Sequence, residues 1–400
     1  MLVDGRGSRS RTGTAAARPL GPWAFIAVAL ASFGGPLALA ALNAPALVAD
    51  ASSSAGLAMV AAVVVFAAPM AIWLRFSRHV TGSGGLFAFV EAAAGRRIAL
   101  VQAALWIVAY ALYLVYTTVQ IVYDLLPQVV PGVGRYQTLL ALLIPAAIAG
   151  VMITGRAAAL VVLGVIGVGQ LALAGILDGV TLAHVATPTS TFGTGAPAGS
   201  LAKASAQTSL LYICGSLPLF LSGELVRPTR TIRHGLTGAY LLTAVVVTLA
   251  VAPLAAMPWV LRTSIPGVTV AQEFAGPGLA RAIGIGVAVS IAGLILFEYV
   301  ALTRLLHAIG GWGIRPLSVI VAAVMIIAAP LTLIDPQGFY GALVKPSLIT
   351  LWLSQLIVFA VYPRYAAAQR QRAIPAWTLA FVAGGLAIYG LWTGIQTAAS

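Results

Sequence analysis

Charge is scarce in this sequence. Of its 400 residues only 8% are Asp, Glu, Lys or Arg, against roughly 25% in a soluble domain. A soluble chain of this length needs a charged shell, and 22 cations with nine anions cannot form one. Hydrophobic residues make up 60% of the chain, and mean hydropathy is +1.01. The sequence therefore reads as an integral membrane protein. A soluble enzyme, a nucleic-acid-binding domain and a secreted disulfide scaffold are excluded. Cysteine is nearly absent: Cys214 stands alone, which leaves no internal disulfide and no Cys-based metal site. The nine acids and four histidines (His79, His184, His234, His307) are spread over different segments. A membrane enzyme needs such groups clustered at one face, so no enzyme, metal or cofactor is expected. The net charge of +13 comes from cations scattered in short loops, not from a basic face. No nucleic-acid partner is expected; the lipid bilayer is.

What is present is a series of apolar runs. They fall at roughly 22–48, 55–74, 98–124, 137–154, 157–178, 206–226, 236–260, 281–304, 316–334, 341–362 and 374–395. Each is about 18–27 residues, enough to cross ~30 Å of hydrocarbon at 1.5 Å per residue. Between the fourth and fifth runs only Thr154, Gly155 and Arg156 intervene. With the N-terminus in the cytoplasm and the runs alternating, 17 of the 22 cations lie inside; only Arg135, Lys203, Arg262, Arg281 and Lys345 lie outside. That asymmetry follows the positive-inside rule and predicts eleven spans with Ser400 outside, in a plasma (inner) membrane. Residues 1–21 are expected to form a flexible basic cytoplasmic tail. Residues 22–178 hold the first five runs, 179–205 a polar extracytoplasmic loop, 206–362 the next five, and 363–400 one additional helix. Ala38-Leu39-Ala40 has the form of a signal-peptidase site, but cleavage there removes a span that the charge pattern needs.

Polar and helix-breaking residues inside these runs mark candidate functional positions. The sequence has 42 glycines and 22 prolines, against roughly 28 and 20 at average usage. Run one contains Ser32-Phe33-Gly34-Gly35-Pro36, and run six contains Gly215-Ser216-Leu217-Pro218 after Cys214. Proline removes a backbone donor and clashes with the preceding turn; glycine loosens the helix further. Each is either a simple kink or an unwound segment lining a cavity. Runs one and six open two successive five-run sets, and an odd set inverts its successor. Broken helices at matching places of inverted repeats point to a transport site.

Run three carries Gln102, Trp106, Tyr110, Tyr113, Thr117, Gln120 and Asp124 at spacings of three and four. At 100° per residue these share one face, which is expected inside the bundle and not in lipid. It is either a cavity wall or a helix–helix seam. Run eight offers Gly286, Ser290, Gly293 and Phe297 as a close-packing stripe, with Glu298 beside it. An acid within an apolar run is a functional candidate, for coupling or for pairing with a substrate amine, unless a cation such as Arg304 satisfies it. Glu224, at the inner end of run six, is expected to anchor or gate that helix, and Gln120 joins it and Glu298 as a coupling or gating candidate. Gly164-x-x-Gly167-x-Gly169 lies within an apolar run and reads as helix packing, not a nucleotide loop.

Two motifs resemble a known family. Ser83-Gly84-Gly85-Leu86-Phe87-Ala88-Phe89, followed by Gly95, is similar to the entry to helix three in permeases of the amino acid–polyamine–organocation superfamily. Glu224-Leu225-Val226-Arg227-Pro228-Thr229-Arg230-Thr231-Ile232 resembles that family's Glu-x-x-x-Pro-x-Arg-x-Ile segment after helix six. The resemblance implies an all-α membrane fold of the leucine-transporter type, a 5+5 inverted repeat working by alternating access. It implies a secondary transporter of an amino acid or related small amine, proton-coupled or exchanging, as symporter or antiporter. Its substrate site would comprise Ser32, Phe33, Gly34, Gly35, Pro36, Tyr110, Tyr113, Thr117, Cys214, Gly215, Ser216, Leu217, Pro218 and Ser290. The sequence departs from the family at Gly34-Gly35-Pro36, where a Gly-Ser-Gly type motif is usual. It also lacks the acid many members carry just after the helix-six break, and the twelfth span. Ser290 is the only hydroxyl residue in the central part of run eight, which favours proton coupling or exchange over sodium. The rival readings are another transporter fold, a channel, or a membrane enzyme.

Overall fold

The computed structural model describes residues 19–185 and 191–399. Most of the expected basic tail therefore lies outside the described residues. Among the described residues the chain is helical throughout, with one isolated bridge between Leu20 and Leu225. Ten helical stretches are long and apolar enough to cross a membrane, and the protein is a multi-pass membrane protein.

Helix α1 (Pro22–Leu30) stops at a break. The chain re-enters helix as α2 (Pro36–Ala38), continues through a π turn at Leu39–Asn43, and runs on as α3 (Ala44–Val48). A 3-10 segment, Ala49–Ser54, joins this to α4 (Ala55–Phe76), so the second half of run one and all of run two form one stretch, Pro36–Phe76. That stretch is folded back on itself. Ala51 leaves helical geometry at φ −117°, ψ 27°. Phe33 and Phe66 both pack on the Tyr240 ring, at 5.7 and 5.8 Å. A straight helix would hold residues that far apart in sequence about 50 Å from each other.

The remaining elements follow in order: α5 (Leu86–Ala94), α6 (Arg96–Val119) with a π turn at Gln120–Leu125, α7 (Leu126–Val129), α8 (Gln137–Thr154) and α9 (Arg156–His184). Gly155 has φ 128°, a conformation that L side chains rarely adopt. That single residue separates runs four and five. After the polar loop come α10 (Ala198–Leu210), a 3-10 segment Ile213–Glu224, α11 (Pro228–Leu254), α12 (Pro266–Ala275), α13 (Pro277–Gly310), α14 (Ile314–Ala328), α15 (Pro336–Ala368) and α16 (Ala373–Ala399). The polar loop is shorter than expected, because α9 runs on to His184 and α10 already begins at Ala198. Thr181 allows the first extension by returning its hydroxyl to the Leu177 carbonyl at 2.7 Å.

The lipid-facing surface is legible in the side chains. On α9, Leu160, Leu163, Gly167, Gln170, Ala174 and Leu177 face inward, while Val161, Val165 and Val168 are exposed. An apolar stripe of that kind is a liability in water and ordinary in lipid. Of eight tryptophans, Trp73, Trp106 and Trp352 are buried, while Trp23, Trp259, Trp312, Trp377 and Trp392 are exposed. Exposed tryptophan suits the membrane–water interface.

The interior packs in related pairs. α1 packs on α11 as α4 packs on α10, and α6 packs on α15 as α13 packs on α9. α4 also meets α11, α6 meets α13, and α8 meets α14. Phe33, Phe66, Tyr212 and Tyr240 form one ring cluster that ties the end of α1, α4, the start of the 3-10 segment and α11 together. Close approach depends on glycine. A Cβ on Gly167 would sit 1.9 Å from the Ala27 carbonyl oxygen of α1, and one on Gly293 would sit 2.7 Å from Ile166. Gly169 meets nothing, so only part of the Gly164-x-x-Gly167-x-Gly169 run is a packing motif. Gly167→Val is expected to force α9 off α1 at a cost of about 1–3 kcal/mol. A melting curve in detergent should fall by several degrees, whereas Gly169→Val should melt with the parent protein.

Candidate functional site

The two breaks meet. After Leu30, the Ser32 amide reaches back to the Ala29 carbonyl at 2.9 Å and the Gly34 amide to Ser32 at 2.8 Å. Gly34 and Gly35 both take φ 73°, which releases the chain from the helix before Pro36 restarts it. The second break differs from expectation. α10 ends at Leu210, and the chain turns through Leu211 and Tyr212 into the 3-10 segment. Gly215, Ser216, Leu217 and Pro218 therefore lie inside a tighter helix beyond the break, not in the break itself. The 3-10 form is uncommon over twelve residues. Ser216 bonds the Ile213 carbonyl at 3.2 Å, the i to i−3 reach that 3-10 spacing favours. A Cβ on Gly34 would be 3.1 Å from the Leu211 carbonyl oxygen, and one on Gly215 would strike the Phe33 ring at 2.2 Å. The backbones of the two interrupted helices thus touch at the centre of the fold.

Loose backbone in a membrane interior needs partners. Gln170 of α9 supplies one. Its side-chain nitrogen donates to the Leu30 carbonyl at 3.2 Å, and its side-chain oxygen accepts a short hydrogen bond from Ser290 of α13. A Cβ on Gly35 would collide with both Ser290 and Gln170. Gly35, Gln170 and Ser290 form one buried joint across three helices. Gln170 is not evident in the sequence, where it is a lone amide in a glycine-rich run. The depth of that amide within the apolar run is the signal for it.

Beside the breaks lies a cavity of about 290 Å³. Gly34, Tyr110, Tyr113, Gln120, Cys214 and Glu298 line it. Among the other expected site residues, Ser32, Phe33, Gly35, Pro36, Thr117, Gly215, Ser216, Leu217, Pro218 and Ser290 do not, and each has a structural occupation. Ser32 bonds the Ala29 carbonyl, Thr117 the Tyr113 carbonyl, Phe33 caps Gly215, and the remaining residues are packed as described or buried in the core. Asn43, Trp352, Gly390, Thr393 and Gly394 also line the cavity. The last three lie on α16, the helix expected to stand outside the functional core. α16 reaches the site because it packs on α15, α4 and α10.

The polar face of run three is split along its length. Gln102 bonds Ser354 of α15 at 2.9 Å, and Trp106 packs on Phe220 with centroids 4.7 Å apart. Tyr110, Tyr113 and Gln120 then open onto the cavity, while Asp124 accepts from Gln337 at 2.9 Å. One half is a seam and the other a wall.

Charges assemble at one end. Glu224 receives Arg304 at 2.7 Å and Arg156 at 2.6 Å, which joins the end of the 3-10 segment to α13 and α9. At this end Ser222 both accepts from the Gly82 amide, at 3.0 Å, and donates to the Gly82 carbonyl. The Leu20 amide bonds the Glu224 carbonyl at 3.0 Å. At the other end Lys203 faces Asp50 at 3.7 Å and Ser54 accepts from the Ala196 amide at 2.9 Å. Each of these bonds joins segments that the charge pattern placed on the same side. Arg304 is 2% exposed and belongs to Glu224, so it does not satisfy Glu298. Glu298 is fully buried and neither of its oxygens has a hydrogen-bond partner.

No family model matches this chain, and no curated protein matches it. Among the described residues no three His, Cys, Asp or Glu side chains converge as a metal site would require. Glu224→Ala strands the buried Arg304 and is expected to cost roughly 3–5 kcal/mol. Asp50→Ala, which opens an exposed pair, is expected to cost about 1 kcal/mol or less. Parallel melting curves check the contrast; equal melting points would show that the Glu224 cluster does not hold the fold together.

Proposed function

We propose that this protein is a secondary transporter that carries an amino acid or related small amine across the plasma membrane by alternating access. The observation that carries this reading is the meeting of two interrupted helices at the wall of a central cavity that also holds a buried, unpartnered acid. Breaks of this kind are tolerated where they serve a cavity, and paired breaks are the mark of a transport site. The paired packing of the interior supports a 5+5 inverted repeat of the leucine-transporter type. Exchanging each run for the one five runs away turns the contact of runs one and seven (α1–α11) into that of runs six and two (α10–α4), and the contact of runs three and ten (α6–α15) into that of runs eight and five (α13–α9). The fold in Pro36–Phe76 favours eleven crossings with the N-terminus inside and the C-terminus outside. The resemblance to amino acid–polyamine–organocation permeases belongs to this same reading.

The residues divide by role. Gly34, Tyr110, Tyr113, Gln120 and Cys214 face the substrate. Gln170 and Ser290 position the unwound end of α1. The Phe33–Phe66–Tyr212–Tyr240 cluster makes α1, α4, α10 with its 3-10 extension, and α11 one body that moves against α6, α8, α13 and α14. Glu224, held by Arg156 and Arg304, is the inner gate, and Glu298 couples the cycle to a proton or an exchanging cargo. The catalytic machinery of a membrane enzyme has no counterpart in this scheme.

Cys214 makes the scheme testable without mutation, because it is the only cysteine and lines the cavity. A thermal-shift screen against amino acids and amines should first find a stabilising compound, since a binder raises stability by RT ln(1 + [L]/Kd). That compound should then slow the reaction of Cys214 with a small thiol reagent and drive counterflow in proteoliposomes. A transported compound that left the rate of Cys214 labelling unchanged would sink the placement of the site.

A further inference from the structure

Glu298 is the one acid that lines the central cavity. Its two oxygens are buried and without a donor, and the nearest arginine along its helix is committed to Glu224 and to the Val300 carbonyl. No Lys, Arg or His is among the cavity-lining residues. The titratable groups facing Glu298 are Tyr110 and Tyr113, with Tyr116 beyond them, from α6, and Cys214 from the 3-10 segment. The linings from the π turn after α2, from α15 and from α16 contain none. Phenols and thiols are neutral at ordinary pH, so nothing in the wall balances a carboxylate. An isolated buried carboxylate is too costly to persist. Something entering from the cavity must neutralise it, and only two things do so: a proton on the carboxyl, or a cation beside it. One excludes the other.

The remaining walls define the cation. Leu39, Ile213, Ile291, Leu294, Leu351 and Trp352 make most of the remaining wall apolar, and its other polar side chains, Asn43, Gln120, Ser347 and Thr393, are neutral, so the body of the ligand is mainly apolar and uncharged. A second positive charge would have no partner. A ligand carboxylate would find no cationic side chain and would lie in the same cavity as an acid.

We propose that the cavity binds a singly charged lipophilic amine whose ammonium group takes the place of the proton on Glu298. The protonated amine arrives as R–NH3+, the O–H bond of the Glu298 carboxyl breaks, and one proton leaves to the solution as the ammonium–carboxylate pair forms. Where the protein alternates its access, amine moving one way is exchanged for a proton moving the other. The exchange half of this inference rests on the transport reading; the binding half does not.

The test uses the full chain in detergent with 2-phenylethylamine as probe and phenylalanine as its carboxylate-bearing counterpart. Calorimetry in two buffers of different ionisation enthalpy counts protons. About one proton should be released per amine bound. The apparent affinity should rise about tenfold per pH unit wherever the empty site holds its proton, because proton and amine compete. Phenylalanine should bind at least tenfold more weakly. Glu298→Gln should lower amine affinity at least tenfold and remove both the proton release and the pH dependence. If that variant does not fold, the proton count on the wild-type protein decides alone. No binding of the amine, amine binding without proton release, or tighter binding of phenylalanine would overturn the proposal. Counterflow in proteoliposomes separates the two readings. Proton-linked binding without counterflow leaves the Glu298 site standing and removes transport. Amine counterflow without pH linkage does the reverse.

Discussion

A helix interrupted inside hydrocarbon must find partners for the backbone groups it releases; here local turns take some of them, and one side-chain amide from another helix takes the carbonyl of Leu30. Gln170 takes the carbonyl at the end of α1 with one atom and the Ser290 hydroxyl with the other. Because the amide is neutral, it joins α1, α9 and α13 without placing a charge in the membrane. Much else is arranged around it. Gly35 has no side chain because Ser290 and Gln170 occupy that volume. Gly167 has none because α9 must come within reach of α1. The break, the close packing and the hydroxyl on α13 are three parts of one solution to one unsatisfied carbonyl.

Much of this was legible in the sequence, and the failures are instructive. The breaks could be located approximately because Gly34-Gly35-Pro36 violates helix chemistry so strongly. The second break lies a few residues earlier than Gly215-Ser216-Leu217-Pro218, since those residues continue as a 3-10 helix that keeps their backbone bonded. Glycine and proline signal that an α-helix is strained; they do not say whether it unwinds or tightens. The stripe on run three was visible from its period alone. Its division into a seam at Gln102 and Trp106 and a wall at Tyr110 and Tyr113 depends on α15, which periodicity along one helix does not contain. Gln170 does not stand out in the sequence, because the glycines around it account for the run as packing. The part played by α16 is not legible because its own sequence offers no polar stripe that points it at the centre; its place comes from packing on α15, α4 and α10.

The charges show a similar limit. The charge pattern assigns each loop to one of two faces, and the ion pairs join loops assigned to the same face. It gave no pairing. Arg304 was the obvious neighbour for Glu298, yet it reaches past its own helix to Glu224, where Arg156 also arrives. The fold spends two of its few inward cations on one acid and leaves the other acid with none. That asymmetry separates an acid held by two cations from one left without a partner.

The segment Ile213–Glu224 has a further property that follows from its geometry. Twelve residues rise about 24 Å as a 3-10 helix and about 18 Å as an α-helix. The two forms differ by roughly 6 Å in length. Glu224 sits at one end of that length and Cys214, in the cavity wall, near the other. A change of helix type would shorten the segment like a drawn cord, pulling the carboxylate beyond hydrogen-bond reach of Arg304. The cavity wall and the Glu224 ion cluster would then be two ends of one extensible element.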